Sequence, residues 1–456
     1  MFINLQKVVI ISFAILFSFN CYSSQELSGR DKNIKWLYEY IDNLEIRPLR
    51  NEPLIFTDKY YLGQALFFDP ILSTNKDISC ATCHLIKRGS SDGLSKSIGT
   101  GGQYLAEKRK KGFGHIQHNR NSQALWNLDN NAVKNLFWDG RIEVLDPIND
   151  IYRTPLNELL PKSIENALAA QALFPIVNQG EMFNAICKLQ GEELETCMRL
   201  VKISKLVDRP SWISTYHSMI IDRLIGTISN KKLNSLQIKY RHIFKKAYKD
   251  INLNDIDFGH VGNAIAHFEE IAFATRNVPW DGFIRGKSNY LNDSQLIGAR
   301  LFFGEAECVR CHSGPLFSDF DFHSLGIVSI KENKDEDIGR AEVTKLNTDR
   351  FKFRTPPLRN STLTSPYMHD GSIKTLEKTI SRHFDGCNKK LEGYNICLST
   401  LSAVGKSYNQ ALTSKDIQYL ISFLGALEDN SEDKWIDIIP KKVPSGLAVD
   451  KLSEIH

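Results

Sequence analysis

The stretch Cys80-Ala81-Thr82-Cys83-His84 recurs as Cys308-Val309-Arg310-Cys311-His312, and no other feature restricts the fold of this chain so much. C-x-x-C-H is the pattern of covalent haem attachment. Two thiols one helical turn apart can each bond a vinyl group of one porphyrin, and the His that follows lies under the iron as its proximal ligand. Each copy has a similar leader, Leu62-Gly63-Gln64-Ala65-Leu66-Phe67-Phe68 and Ile297-Gly298-Ala299-Arg300-Leu301-Phe302-Phe303. Four such cysteines could also close two disulfides or hold zinc, but neither arrangement needs a His directly after the second Cys. Two covalently bound c-type haems are therefore expected, one on Cys80, Cys83 and His84 and one on Cys308, Cys311 and His312.

A chain of 456 residues has room for two domains. Its 42% hydrophobic and 24% charged residues fit a globular protein rather than a disordered segment or a membrane bundle. A net charge of +4 is too small to argue for nucleic acid as a partner. Lys7, an apolar run over 8–19 and small and polar residues up to Ser24 read as a secretory signal peptide, 1–23, which predicts export to the periplasm. The run is short for a spanning helix. An uncleaved anchor, or a lipoprotein attached at Cys21, are the alternatives. Four further cysteines form two local pairs, Cys187–Cys197 and Cys387–Cys397, each expected to be a disulfide in an oxidising compartment.

Helices are expected over 34–44, 57–68, 213–227, 236–249, 257–275 and 413–428, with sparse strand signals. Val261, Ile265, Phe268 and Ile271 recur at helical spacing and read as core. Thr413 with Asp416 three residues on is a variant capping box, and Asp293 is expected to cap the helix before the second attachment site. Residues 85–121, rich in Gly, Ser and Lys, read as a long functional loop over the haem face. Within it, Lys108-Arg109-Lys110-Lys111 is either a solvated run or a docking patch for an acidic redox partner. Phe137-Trp138-Asp139-Gly140-Arg141 reads as a compact aromatic turn, and 161–210 as an insertion. The expected class is mainly α: two cytochrome c-like haem domains in tandem, 25–250 and 251–440, with the insertion in the first.

The sequence resembles the bacterial di-haem cytochrome c peroxidase and MauG family over most of 58–427, leaving out the insertion. The resemblance rests on Cys80–His84, Arg120-Asn121, Phe137–Arg141, Cys308–Gly314, and Thr355-Pro356-Pro357-Leu358-Arg359-Asn360 running into Pro366-Tyr367-Met368-His369-Asp370-Gly371. It implies that the first haem reacts with peroxide, that the second receives or stores electrons, and that one Ca²⁺ lies between the domains. The matching calcium positions are Asn121, Thr364 and Pro366; oxygen ligands of this kind suit Ca²⁺. Family peroxidases often carry, sixteen residues after the first proximal His, a His that blocks the iron; here that position is Thr100. The resemblance then implies an open first iron, as in the MauG branch, with His115 and His118 in the following loop. Counting forward from the aromatic turn puts the family's catalytic Glu at Glu158 and its accompanying Gln at Ile148. Trp138 matches a tryptophan between the haems, a plausible electron relay. The second haem's distal ligand, Met in family peroxidases and Tyr in MauG, falls on His383, with Met368 or Tyr367 as the alternative.

The leading expectation is a periplasmic di-haem peroxidase. Glu158 would shuttle the proton of hydrogen peroxide, and a small electron-donor protein (cytochrome c or cupredoxin) would supply electrons through the second haem. The runner-up is a MauG-like maturation enzyme oxidising an aromatic side chain of a protein substrate. A third reading, a pure electron carrier, needs both irons capped, against which Thr100 argues. A homodimer stays open.

Overall fold

The computed structural model describes residues 29–450 except 45, 50–53, 113–114, 157–158, 185, 188, 207–208, 228–231, 385–411 and 432–437. Glu158, the Cys387–Cys397 pair and the segment read as a signal peptide lie outside the described residues. The fold is helix-rich: α1 (Arg30–Asn43), α2 (Asp58–Phe68), α3 (Cys80–Cys83), α4 (Ala167–Val177), α5 (Gly191–Leu206), α6 (Arg209–Ile225), α7 (Ser235–Ala247), α8 (Phe258–Ala272), α9 (Pro279–Ile284), α10 (Asp293–Phe303), α11 (Ala341–Thr344), α12 (Leu376–Phe384) and α13 (Ser414–Gly425). Among the described residues strands are short. β1 (Asn135–Leu136), β2 (Ile142–Asp146) and β3 (Ile151–Arg153) form an antiparallel meander, and β4 (Phe322–His323) pairs with β5 (Phe353–Arg354).

Local chemistry sets the helix starts. The Thr57 hydroxyl accepts from Tyr60 N at the head of α2. Thr413 and Asp416 close the expected box on α13, each side chain taking the other's backbone N–H. The cap of α10 is Asn292, boxed with Gln295, and not Asp293, which is the first helical residue. An acidic first-turn residue there favours the helix dipole, which explains why either position reads as a start.

Two hydrophobic cores organise the helices. In the first, α2 crosses α8 with Phe67, Phe68, Phe268 and Phe273 in edge and tilted ring contacts. In the second, α10 crosses α13, and Phe303, Phe317 and Phe423 pack on Trp280, with Phe302 tilted against Phe423. The repeated leader glycine is the crossing point in both. A Cβ on Gly63 would lie 1.9 Å from Ala264 O, and a Cβ on Gly298 would lie 1.9 Å from Tyr419 O. Only glycine lets these backbones approach so closely.

The cores do not follow the expected boundary at residue 250. α1 packs on α10, with Leu37 and Ile41 in the second core, while α8 belongs to the first. The last described segment returns to the first core: Ile438 and Val443 are buried there, Gln64 Nε2 donates to Ile438 O at 2.8 Å, and Ser445 Oγ donates to Asp69 at 2.6 Å. The stretch read as an insertion, 161–210, is not peripheral either. α4 lies within it, is apolar nearly all round, and packs on α8. Its position near α8 is tight: a Cβ on Gly262 would sit 2.6 Å from Ala169 O. Among the described residues no helix is long and apolar enough to cross a membrane.

Candidate active site

α3 is a single turn started by Ser79, whose N–H donates to the Thr82 hydroxyl at 3.0 Å. That turn sets Cys80 and Cys83 one turn apart, unbonded and half-buried. Burial pushes the Cys80 thiol up to about 12 and the Cys83 thiol higher still. His84 follows at once. Its Nδ1 lies 3.0 Å from Ser90 O, and the Ser122 hydroxyl donates to Cys83 O at 2.8 Å. A backbone carbonyl on Nδ1 fixes the tautomer and leaves Nε2 for a metal. Burial also lowers the His84 pKa, which favours the neutral ring that ligation needs.

Cys80, Cys83 and His84 line one cavity. The charged and titratable side chains facing the same space are His118, Arg120, Arg141, Glu181 and Glu269, and Gln123 and Gln171 bring amides. Glu181 accepts from His118 Nε2 at 2.8 Å and from Asn178 Nδ2 at 2.7 Å. Burial raises the Glu181 pKa, but the His118 charge, these hydrogen bonds and Arg141 outweigh it and hold the carboxyl below its usual range. His118 moves the other way: burial opposes its cation, yet Glu181 raises the pKa overall. Its Nδ1 is also engaged, 3.0 Å from Arg120 O.

Trp138 lies on the wall of this cavity, almost fully buried, and donates from Nε1 to Asn121 O at 3.0 Å. It sits in the turn that joins β1 to β2, where Phe137 and Gly140 have φ of +67° and +64°. Groups from 337–354 bolt that turn in place. Arg354 N donates to Trp138 O at 2.8 Å and Arg354 Nε to Phe137 O at 3.0 Å. Arg340 Nη1 donates to the carbonyls of Asp139 (3.0 Å) and Gly140 (2.7 Å). Arg120 bridges Asp139 and Asp337, with three bonds of 2.7 Å. Burial works against the Asp139 anion, but Arg141 and Arg120 hold its carboxyl well below the usual carboxylate range.

The second attachment site has a different far side. Cys308 and Cys311 are again unbonded, and His312 Nδ1 lies 3.0 Å from Phe317 O. His383, on α12, has its own Nδ1 2.8 Å from Thr379 O. The two rings face each other with centroids 6.3 Å apart. Two imidazoles sharing one iron, each nitrogen about 2 Å from the metal, would put their centroids roughly 6 Å apart. Burial lowers both pKa values, His312 to about 4 with the neighbouring His383 adding to the effect. Among the described residues, Cys311, Asp319 and His323 are the one further cluster with metal-ligand spacing, and Cys311 already serves attachment.

The two sites thus offer thiol pairs, neutral imidazoles with free Nε2 atoms and, at the first, a cavity, which is a donor set that fits covalently bound haem. A model of the di-haem cytochrome c peroxidase family matches residues 57–289. The chain belongs to that family. It is similar to the cytochrome c551 peroxidase of Nitrosomonas europaea, 27% identical over 87% of this chain and 88% of the relative. It is also similar to the methylamine utilization protein MauG of Methylorubrum extorquens, 27% identical over 73% of this chain and 70% of the relative. Among solved structures, a MauG-like protein associated with microbial copper homeostasis superposes with a TM-score of 0.56, at 23% identity over 85% of this chain and 93% of that one. The di-haem peroxidase BthA of Burkholderia thailandensis gives 0.50, at 18% identity over 88% and 91%; both structural likenesses speak to the fold.

Against this family background, several expected residues lie elsewhere. Ile148, expected to replace the family's glutamine, is 80% exposed at the tip of the β2–β3 hairpin. Two glutamines face the cavity, Gln123 and, on α4, Gln171; Glu181 follows Gln171 by ten residues, the same separation as between Ile148 and Glu158. Thr100 is buried and donates to Asp77 Oδ1 at 2.7 Å, outside the cavity lining. His115 is buried against Gly101, 2.6 Å from Asn184 Nδ2. The basic run is not one surface patch: Arg109 is buried and donates to the carbonyls of Ile98, Gly99 and Tyr104. Cys187 and Cys197 are disulfide-bonded, with Cα atoms 5.8 Å apart.

Proposed function

We propose that this chain is a di-haem peroxidase whose two haem seats are unequal. The observation that carries the reading is the contrast between the far sides of His84 and His312. His312 faces a second imidazole, whereas His84 opens on a cavity whose one other imidazole, His118, has both nitrogens engaged. A haem on Cys80, Cys83 and His84 would supply the iron at which hydrogen peroxide is reduced. Glu181 is then the acid–base group, taking a proton from peroxide and returning it to the departing oxygen. His118 and Asn178 orient its carboxylate, and Gln171 offers an amide in the same space. The balance is one peroxide, two electrons and two protons giving two waters.

Electrons come from a small one-electron donor protein by way of the His312/His383 seat, and Trp138 fits a relay because it is buried on the cavity wall and clamped by Arg354 and Arg340. In this reading each core carries one haem, in a periplasmic protein. A calcium ion at Asn121, Thr364 and Pro366 and a Cys387–Cys397 disulfide rest on the sequence reasoning. The Asn121 amide N–H₂ is committed to Leu94 O at 2.7 Å, which leaves its oxygen as the atom for a cation. Thr100, where a blocking His often stands, favours the second reading, a MauG-like oxidation of a protein substrate.

Steady-state peroxide reduction with a reduced small c-type cytochrome tests the first reading. The wild-type holoprotein should turn over. Glu181→Gln should lose on the order of 10²- to 10⁴-fold in kcat with haem content unchanged. Unchanged turnover in that variant removes Glu181 from the proton chemistry.

A further inference from the structure

Glu269 is a cavity-facing carboxyl group that the mechanism above leaves idle. It lies on α8 one turn after Ile265, is 8% exposed, and lines the cavity with Cys80, Cys83 and His84. Among the described residues no hydrogen bond or ion pair reaches its carboxyl. Its neighbour Glu270 is ordinary by comparison, exposed and paired with His267 at 3.2 Å. An ionised carboxylate buried without a partner is costly, so such a group holds its proton unless a nearby charge changes. Its neighbours on α8 include the fully buried apolar residues Ile265 and Phe268, beside which a leucine would pack at no such cost.

We propose that Glu269 is a proton-exchanging group of the first haem seat, gaining a proton when an electron enters that seat and losing it when the electron leaves. The proposal rests on the reading that Cys80, Cys83 and His84 hold a haem. The step balances: a one-electron donor protein supplies the electron, solvent supplies the proton, one O–H bond forms on Glu269, and the net charge of the seat is unchanged.

The surroundings suit this role. From α3 the nearest facing group is Cys80, which is uncharged once it is a thioether. α4 contributes the neutral Gln171, and the segment after α4 contributes Glu181, itself paired with His118. Arg120 and Arg141 face the same cavity, but both are tied to Asp139. α2 packs along α8 with Tyr60 and Phe67 against Phe268, and α6 presents the neutral face of His217 to Phe258. No cation is therefore left over to fix Glu269 as an anion. Burial alone raises its pKa to about 8, so it is protonated below neutral pH and exchanges within reach of it.

Spectroelectrochemical titration of the holoprotein tests this, after the haem content of each variant has been measured. The midpoint potential of the first haem should fall as pH rises through about 8 in the wild type, because the reduced form holds the proton. It should be independent of pH over the same range in Glu269→Gln. Redox-triggered infrared difference spectra of the wild type should show a protonated-carboxyl band that grows on reduction. A pH-independent wild-type potential, a slope that survives in the variant, or a missing carboxyl band each overturns the proposal. Absence of haem from the first seat would instead overturn the reading beneath it.

Discussion

His383 is the residue that makes the two seats different. Its ring faces His312 at 6.3 Å, and its Nδ1 is held by Thr379 O one turn back on α12. Thioether ligation raises a haem potential relative to imidazole. His383→Met should therefore raise the potential of the second haem while leaving the first unchanged, as read by redox titration of the holoprotein. An unchanged second potential would mean that His383 is not its ligand. At the same scale, the carboxyl groups that line the cavity, Glu181 and Glu269, were hidden from counting. Gln171 and Glu181 each lie 23 residues beyond the positions obtained by stepping forward from the aromatic turn. The hairpin of β2 and β3 and the chain leading to α4 lie between the aromatic turn and Gln171. A fixed offset from a motif holds only where the intervening chain keeps its length.

Elements were more legible than offsets. The Thr413/Asp416 box, the Thr57 start of α2 and the aromatic turn at Phe137–Arg141 all appear where local chemistry puts them. α4 was legible in principle: Asn166 caps it, with Oδ1 accepting from Ala169 N at 2.8 Å, and an apolar run follows. A helix apolar all round carries no amphipathic period, so it reads as neither surface helix nor loop. The leader glycines became intelligible only with the crossing helices in view. Gly298→Ala should destabilise by about 1–3 kcal/mol or more, because its methyl would collide with Tyr419 O in backbone that cannot easily shift. Chemical denaturation checks it; a change below about 0.5 kcal/mol would show that the crossing has slack. The returning segment 438–450 makes a second prediction. It buries Ile438 and Val443, bonds Asp69 through Ser445, and ends with Asp450 hydrogen-bonded to the Thr82 hydroxyl inside the first attachment turn. Ending the chain at 437 should cost about 3 kcal/mol or more from the two apolar side chains alone, and should lower haem loading at Cys80 and Cys83 more than at Cys308 and Cys311.

Across the whole molecule, a buried ion cluster ties the N-terminal half of the chain to the C-terminal half. Arg120, from the loop before β1, is buried between Asp139 of the aromatic turn and Asp337 of the segment before α11. Burial raises the Asp337 pKa, but the Arg120 hydrogen bonds and charge outweigh it, leaving the carboxyl near about 2 against an ordinary 3.8. A depressed carboxylate pKa contributes stability above the unfolded value and loses it as pH falls through the folded one. Stability on the order of 2 kcal/mol should accordingly vanish between about pH 4 and pH 2. Acid unfolding of Asp337→Asn should be flatter in that window than the wild type, and equal slopes would contradict the assignment. The boundary between the cores was not legible in the sequence, because α1 and the 438–450 segment each cross to the other half of the chain and only tertiary packing records that.

The central claim is that the two attachment sites hold unequal haems, and the resting ferric protein tests it most directly. Electron paramagnetic resonance of the purified holoprotein should show one high-spin haem with an open face and one low-spin haem with two imidazole ligands, in equal amounts. Two low-spin haems, with no high-spin signal, would contradict the account.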